Sequence, residues 1–314
     1  FFVLSGFLVG GMSVDRFMRS RFDPGKYFID RFSRIYTPLV PNILLTVIAC
    51  VCFGFRTSVR EVVVSLASLQ GAFGPAIAIN ESLWSLTYEV WFYVLCGGLL
   101  TLFQSQSRHK LIAFGLVAAT AFVFSRLQVA YLFAWLLGAG AYFLRGRRPW
   151  LLAAVGVLVM AAGVVAMQLT SISTQVDLSG FDWIDRPLAI VTLASGFSLI
   201  VAAAAGVQAG SPLLMRAAAW FQWLAGFSYT LYLIHLPLIL VLVRLNILPA
   251  FGRLNSATFG AFLGTGMAIC AVAWLLYLPF ERQTPVVRRW LYAHLLPGGN
   301  SRLPCPAADL HTQA

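Results

Sequence analysis

Long, nearly unbroken apolar runs separated by short basic segments are the feature that most limits what this chain can fold into. They lie near residues 1–14, 38–55, 85–103, 111–125, 127–144, 150–168, 187–207, 222–245 and 257–279. Each is rich in Leu, Val, Ala and Phe without strict alternation, which predicts helix and argues against barrel strands. A helix needs about 20 apolar residues to cross a bilayer. Of the 314 residues, 60% are apolar and 11% charged, against about 25% charged in a soluble domain. The composition excludes a soluble enzyme, a disordered chain and a disulfide scaffold. The fold class expected is all-α: a polytopic transmembrane bundle with about nine helices present.

The basic residues are unevenly spread. Segment 15–37 carries Arg16, Arg19, Arg21, Lys26, Arg31 and Arg34; 104–110 carries Arg108 and Lys110; 145–149 carries Arg145, Arg147 and Arg148. Arg216 follows, and Arg282, Arg288, Arg289 and Arg302 come after the last run. These are alternate connections, so the positive-inside rule assigns them to the cytoplasm and the C-terminus with them. The net charge of +11 is therefore read as membrane orientation, with lipid rather than nucleic acid as the partner. On the opposite side, Asp177, Asp182 and Asp185 beside Phe181 and Trp183 form either a solvated loop or a polar lip for a hydroxyl-rich substrate. Residues 1–281 are read as one transmembrane domain and 282–314 as a cytoplasmic tail.

A charge near the bilayer centre costs roughly 2.5–3.5 kcal/mol, so polar residues inside the runs are candidates for function. Glu89, in SLWSLTYEVWFY (82–93), is the clearest. On a continuous helix it shares a face with Ser82 and Ser85, with Trp84, Tyr88, Trp91, Phe92 and Tyr93 around it. It either pairs with a neighbouring helix, or orients a base or substrate hydroxyl. His235, in FSYTLYLIHLPL (227–238), shares a face with Ser228 and Tyr232, and Pro237 loosens the helix beside it. It is either a satisfied structural donor or a proton carrier.

Arg31 and Arg34, in RFSRIYTP, sit where a basic loop meets the next run. They either snorkel to headgroups or clamp phosphate, since paired guanidinium groups bind phosphate oxygens bidentately. Coenzyme A is the obvious phosphate-rich cytoplasmic ligand. Glu281 and Arg282 end the last run, as a rim ion pair or as a carboxylate facing the same cleft as Arg31 and Arg34. Ser5-Gly6 interrupts the first run and reads as close helix packing. No phosphate loop, nucleophile elbow, or metal-ligand spacing among Cys and His is present.

Together these stretches resemble the acyltransferase-3 family of integral membrane O-acyltransferases. FFVLSGFLVG is similar to the family's FFVxSGFL motif, and RFSRIYTP to its Arg-x-x-Arg-Ile-Tyr-Pro stretch, with Thr37 inserted before Pro38. SLWSLTYEVWFY matches LWSLxxExxFY with Glu89 in place, and SYTLYLIHLPL matches SYxLYLxH. LPFERQTP echoes a closing Glu-x-Pro element, with Gln283 and Thr284 between Arg282 and Pro285. The resemblance implies transfer of an acyl group, acetyl by default, from cytoplasmic acyl-CoA to a hydroxyl of a surface glycan or a related lipid or antibiotic, in a bacterial inner membrane without a metal. It implies that Arg31 and Arg34 hold the donor and that Ser5, Trp84, Ser85, Tyr232 and Glu281 line the substrate path. Glu89 and His235 are the catalytic candidates. The family's proposed catalytic His belongs to a tenth helix that would precede Phe1. A transporter or flippase of a lipid-linked glycan is the competing expectation.

Overall fold

The computed structural model describes residues 1–104, 109–172, 185–206, 220–247 and 255–296. Among them the chain is helical, without a strand; an isolated bridge joins Gln70 and Gly74. Among the described residues the apolar runs fall largely in helices. Five helical stretches are long and apolar enough to cross a membrane: Pro24–Phe53, Ala78–Phe103, Pro149–Thr170, Arg186–Ala204 and Thr258–Leu295. A sixth is reached if Trp220–Gly226 and Ser228–Arg244 count together, while Lys110–Phe124 and Ala130–Leu144 are shorter apolar helices. Among the described residues, five or six stretches meet the length and composition of a span. The chain is a membrane protein of all-α architecture.

The chain divides into two units, one of residues 1–22 and 55–225, the other of residues 23–54 and 226–314.

In the first unit, helix α1 begins at Phe2–Ser5 and continues through a π-helical stretch, Gly6–Gly11, into Met12–Met18. A π-helical register widens a helix and is rare. Here it lies against α6 (Ala130–Ala141). A Cβ placed on Gly6 would strike the carbonyl of Trp135, and one on Gly138 would strike the backbone of Val3. Main chain meets main chain in both directions, so only hydrogen fits. Small residues permit such close approach where lipid supplies no hydrophobic drive. Phe7, Ala141 and Ala202 are buried together beside this contact. The expectation of close packing at Ser5-Gly6 describes Gly6 well.

Between α1 and α6 in sequence come α2 (Pro24–Phe53), which belongs to the second unit, then α3 (Val59–Leu66), α4 (Trp84–Phe103) and α5 (Lys110–Phe124). Ser58 and Glu61 cap α3 reciprocally. The unit is completed by α7 (Pro149–Ile172) and α8 (Arg186–Ala204), which pack along their lengths.

The second unit is built on α2. Asp23 caps its start through the Lys26 amide at 3.1 Å, and Pro24 occupies its first turn. The expected loop over 15–37 is therefore mostly helix: Met12–Met18 precedes a short break and α2 begins at Pro24. Charge density misled here, because an amphipathic helix end and a basic loop share a composition. Arg31 and Arg34 lie on the first turns of a helix, one turn apart. Pro38 and Pro41 interrupt the α2 ladder, since neither offers an N–H to the carbonyl four residues back. Around α2 pack α9 (Ser228–Arg244) and α11 (Thr284–Leu295), with α10 (Ser256–Tyr277) against α9. The expected single span over 222–245 is broken at Phe227, whose backbone (φ −113°, ψ 8°) leaves the helix.

Candidate functional site

In the first unit the site forms where α1, α4 and α6 meet. The start of α4 is held by the segment before it. Gln70 Nε2 donates to the Leu83 carbonyl at 2.6 Å, Thr87 Oγ1 donates to the Gln70 carbonyl at 2.9 Å, and Trp91 Nε1 donates to the Ser68 carbonyl at 3.0 Å. Gln70 and Ser68 are buried. Residues 68–83 thus build a polar shelf against the start of α4. Ser82 belongs to a separate 3-10 turn, Ala78–Leu83, and donates to Asn80 Oδ1 at 2.7 Å. The face that Ser82 was expected to share with Ser85 and Glu89 is therefore cut; Ser85 and Glu89 remain one turn apart on α4.

Glu89 is half-buried. Its Oε1 accepts a short hydrogen bond from the Tyr93 hydroxyl, one turn further along α4. Ser5 Oγ donates to Tyr93 Oη at 3.2 Å, and Trp135 Nε1 donates to Ser5 Oγ at 3.3 Å. Ser5, Tyr93 and Trp135 are buried. An aromatic cluster closes over this series. Phe2 packs against Tyr88, Phe92 and Tyr131 at centroid distances of 5.6, 5.6 and 5.2 Å, and Phe92 stacks on Trp135 at 5.5 Å. Trp84 joins at the rim, 6.1 Å from Phe2 and 45% exposed. Ser5, Glu89 and Trp84 are thus brought to one region. Tyr93 and Trp135 were missed as partners; the i, i+4 spacing of Glu89 and Tyr93 was a usable signal.

In the second unit the centre is Glu281, 3% exposed in a 3-10 turn, Glu281–Gln283. Its Oε2 accepts from the Thr230 amide at 3.0 Å and from Thr230 Oγ1 at 2.8 Å. Its Oε1 lies 3.7 Å from the Arg34 guanidinium. Arg34 is the partner, rather than the neighbouring Arg282. At that separation the contact is an ion pair and not a hydrogen bond. The Arg34 side chain is 55% exposed, so it stays accessible while the buried carboxylate anchors its charge. Arg31 lies one turn earlier with its guanidinium 5.9 Å from the Tyr27 ring. Nearby on α2, Asp30 accepts from the Tyr292 hydroxyl at 2.6 Å and pairs with Arg288 at 3.7 Å, fastening α11 to α2. Tyr229 and Tyr232 stack at 6.3 Å on α9.

His235 is half-buried on α9, with Nδ1 2.8 Å from the Tyr232 carbonyl of its own helix. With the proton on Nδ1, that nitrogen donates to the carbonyl and Nε2 carries the lone pair. Asp177, Asp182, Phe181, Trp183, Arg108, Arg216, Arg253, Arg302 and the tail beyond residue 296 lie outside the described residues.

A family model described as an acyltransferase domain, that of the acyltransferase-3 family, matches residues 1–278. No curated protein and no solved structure matches the chain. The match covers well over half the chain and spans the segments that carry Ser5, Arg31, Arg34, Glu89 and His235. With its apolar helices and a match of this extent, the chain belongs to the acyltransferase-3 family and is a membrane acyltransferase.

Proposed function

We propose that the enzyme moves an acyl group, acetyl in the first instance, from acyl-CoA on the cytoplasmic side to a hydroxyl of a surface glycan or a related acceptor. The observation that carries the reading is Arg34, half-exposed on the first turns of α2 with a buried carboxylate 3.7 Å behind it. Guanidinium groups presented this way suit phosphate oxygens. The positive-inside bias assigns this end of α2 to the cytoplasm, where acyl-CoA is found. Arg31 and Arg34 hold the coenzyme A phosphates, and Glu281 keeps Arg34 in place.

The acceptor meets the enzyme at Glu89. The hydroxyl oxygen attacks the thioester carbonyl, the C–S bond breaks, and the thiolate leaves and takes up the proton that the hydroxyl loses. The products are an ester and free coenzyme A. A sugar hydroxyl is a weak nucleophile at neutral pH, so holding it in line supplies much of the rate. In the first unit Glu89 accepts its hydrogen bond, and Trp84 and Ser85 border it; in the second unit α9 carries Tyr232 and His235. As a proton carrier, His235 takes the hydroxyl proton on Nε2 and passes it to the departing thiolate.

Membranes carrying the protein would be given radiolabelled acetyl-CoA, and label followed into alkali-labile ester on surface glycan. Transfer is expected for the native protein. Arg34→Ala should raise the KM for acetyl-CoA about tenfold or more, the worth of a charge-assisted hydrogen bond. No label from well-folded protein, with acetyl or other acyl donors, overturns the reading and turns attention to transport of a lipid-linked glycan.

A further inference from the structure

Three hydrogen bonds in the first unit run in series: Trp135 Nε1 to Ser5 Oγ at 3.3 Å, Ser5 Oγ to Tyr93 Oη at 3.2 Å, and Tyr93 Oη to Glu89 Oε1. The series has a direction. An indole N–H can donate and cannot accept. Ser5, having accepted from Trp135, has one proton to give, and the hydroxyl within reach is that of Tyr93. The phenolic proton of Tyr93 then goes to the carboxylate. Turning the links round would have Ser5 offer its proton towards an indole that cannot accept it. Three of the four side chains are buried, and a buried polar group left unpaired is costly.

We propose that Tyr93 is a positioning residue that fixes Glu89 as a hydrogen-bond acceptor, with Ser5 and Trp135 setting the direction. This rests on the reading of Glu89 as the group that meets the acceptor, and it narrows the acceptor's chemistry. A carboxylate held as an acceptor is matched by a donor. The group brought to Glu89 is therefore a hydroxyl or an N–H; a carboxylate or phosphate would meet like charge. The order of importance follows from distance along the series: Tyr93 first, then Ser5, then Trp135.

The test removes single atoms. In proteoliposomes, the infrared difference between native protein and Glu89→Gln isolates the Glu89 carboxylate bands, and the same difference is taken in a Tyr93→Phe background. A shift of those bands in Tyr93→Phe is expected; unshifted bands overturn the proposal. This readout requires no turnover, so it stands even if no acyl transfer is found and the proposed function falls. Where transfer is measured, Tyr93→Phe should lower kcat about tenfold with the donor KM unchanged, Ser5→Ala should lower it less, and Glu89→Asp should not rescue Tyr93→Phe. Native kcat in Tyr93→Phe, or a rise in donor KM with kcat intact, overturns it. Tyr93→Phe preserves the ring and its packing; should it nevertheless misfold, the bands of Ser5→Ala are read in the same way, with a smaller shift expected.

Discussion

Glu281 caps a helix 51 residues away from it in sequence: its Oε2 accepts both the amide and the hydroxyl of Thr230, in the first turn of α9. The residue at the N-cap position is Phe227, which has no side-chain acceptor, and the Thr230 amide takes its partner from this distant carboxylate. A negative group there is also favoured by the helix dipole. The same carboxylate anchors Arg34 through its other oxygen. Helix start and guanidinium are thus joined by one side chain. Glu281→Ala is expected to lower stability by about 1–3 kcal/mol, the cost of leaving the Thr230 donors unpaired. Thermal unfolding in nanodiscs measures it. Glu281→Gln keeps an acceptor for Thr230 and loses the charge, so it should preserve most of the stability while weakening acetyl-CoA binding. An equal stability loss in both variants would assign the stability to the charge of Glu281 and not to its hydrogen bonds with Thr230.

Gly6→Ala should be among the most damaging small changes in the chain. The added methyl meets the backbone carbonyl of Trp135, which has no rotamer to change. Overpacking of this kind costs about 1–3 kcal/mol. The yield of monodisperse protein and its melting temperature should both fall, and Gly138→Ala should behave alike from the other side of the contact. Gly140→Ala is the control, because open space surrounds that position.

Tyr292→Phe should loosen α11 without touching the acyl-transfer groups. The hydroxyl donates to Asp30 at 2.6 Å, and Arg288 pairs with the same carboxylate. Loss of one charge-assisted bond is worth about 1.5–3 kcal/mol at most sites. Limited proteolysis should cut faster within residues 284–295, and Asp30→Asn should give the same pattern. Unchanged cleavage in both variants would show that the Asp30 contacts do not hold the helix.

His235→Phe tests whether the imidazole does more than fill space. Its Nδ1 sits 2.8 Å from the Tyr232 carbonyl, which already accepts within the helix, so the fold should tolerate the change. As a proton acceptor through Nε2, His235 would contribute about 10²–10⁴-fold to the rate. A fall in kcat of that order is expected in the label-transfer assay, and native turnover would assign the ring to packing.

Much of the arrangement was legible in the amino-acid order. Apolar continuity gave helices, intramembrane polarity singled out Glu89, and Arg34 and Glu281 stood out at the ends of their runs. The partners were harder to see. Periodicity compares residues on one helix, whereas Ser5 meets Tyr93 88 positions away, Trp135 meets Ser5 130 positions away, and Thr230 meets Glu281 51 positions away. Such contacts are set by how helices cross. The helical character of 24–37 was hidden because its charges looked like a loop, and the break at Phe227 was hidden because an aromatic residue gives no breaking signal. The shelf at 68–83 was obscured because backbone carbonyls, which every residue has, accept its bonds.

The approach of α1 to α6 separates two tasks that enzymes often assign to the same atoms. Ser5 is followed directly by Gly6, and Gly6 rests on the main chain of Trp135, whose indole reaches back to the Ser5 hydroxyl. Location is thus inherited from the peptide backbone, and reactivity from the side chains hung upon it. Descendants of this sequence could exchange Ser5, Tyr93 or Glu89 for other groups and explore new acceptors while the framework stays where it is, provided the two glycines do not change.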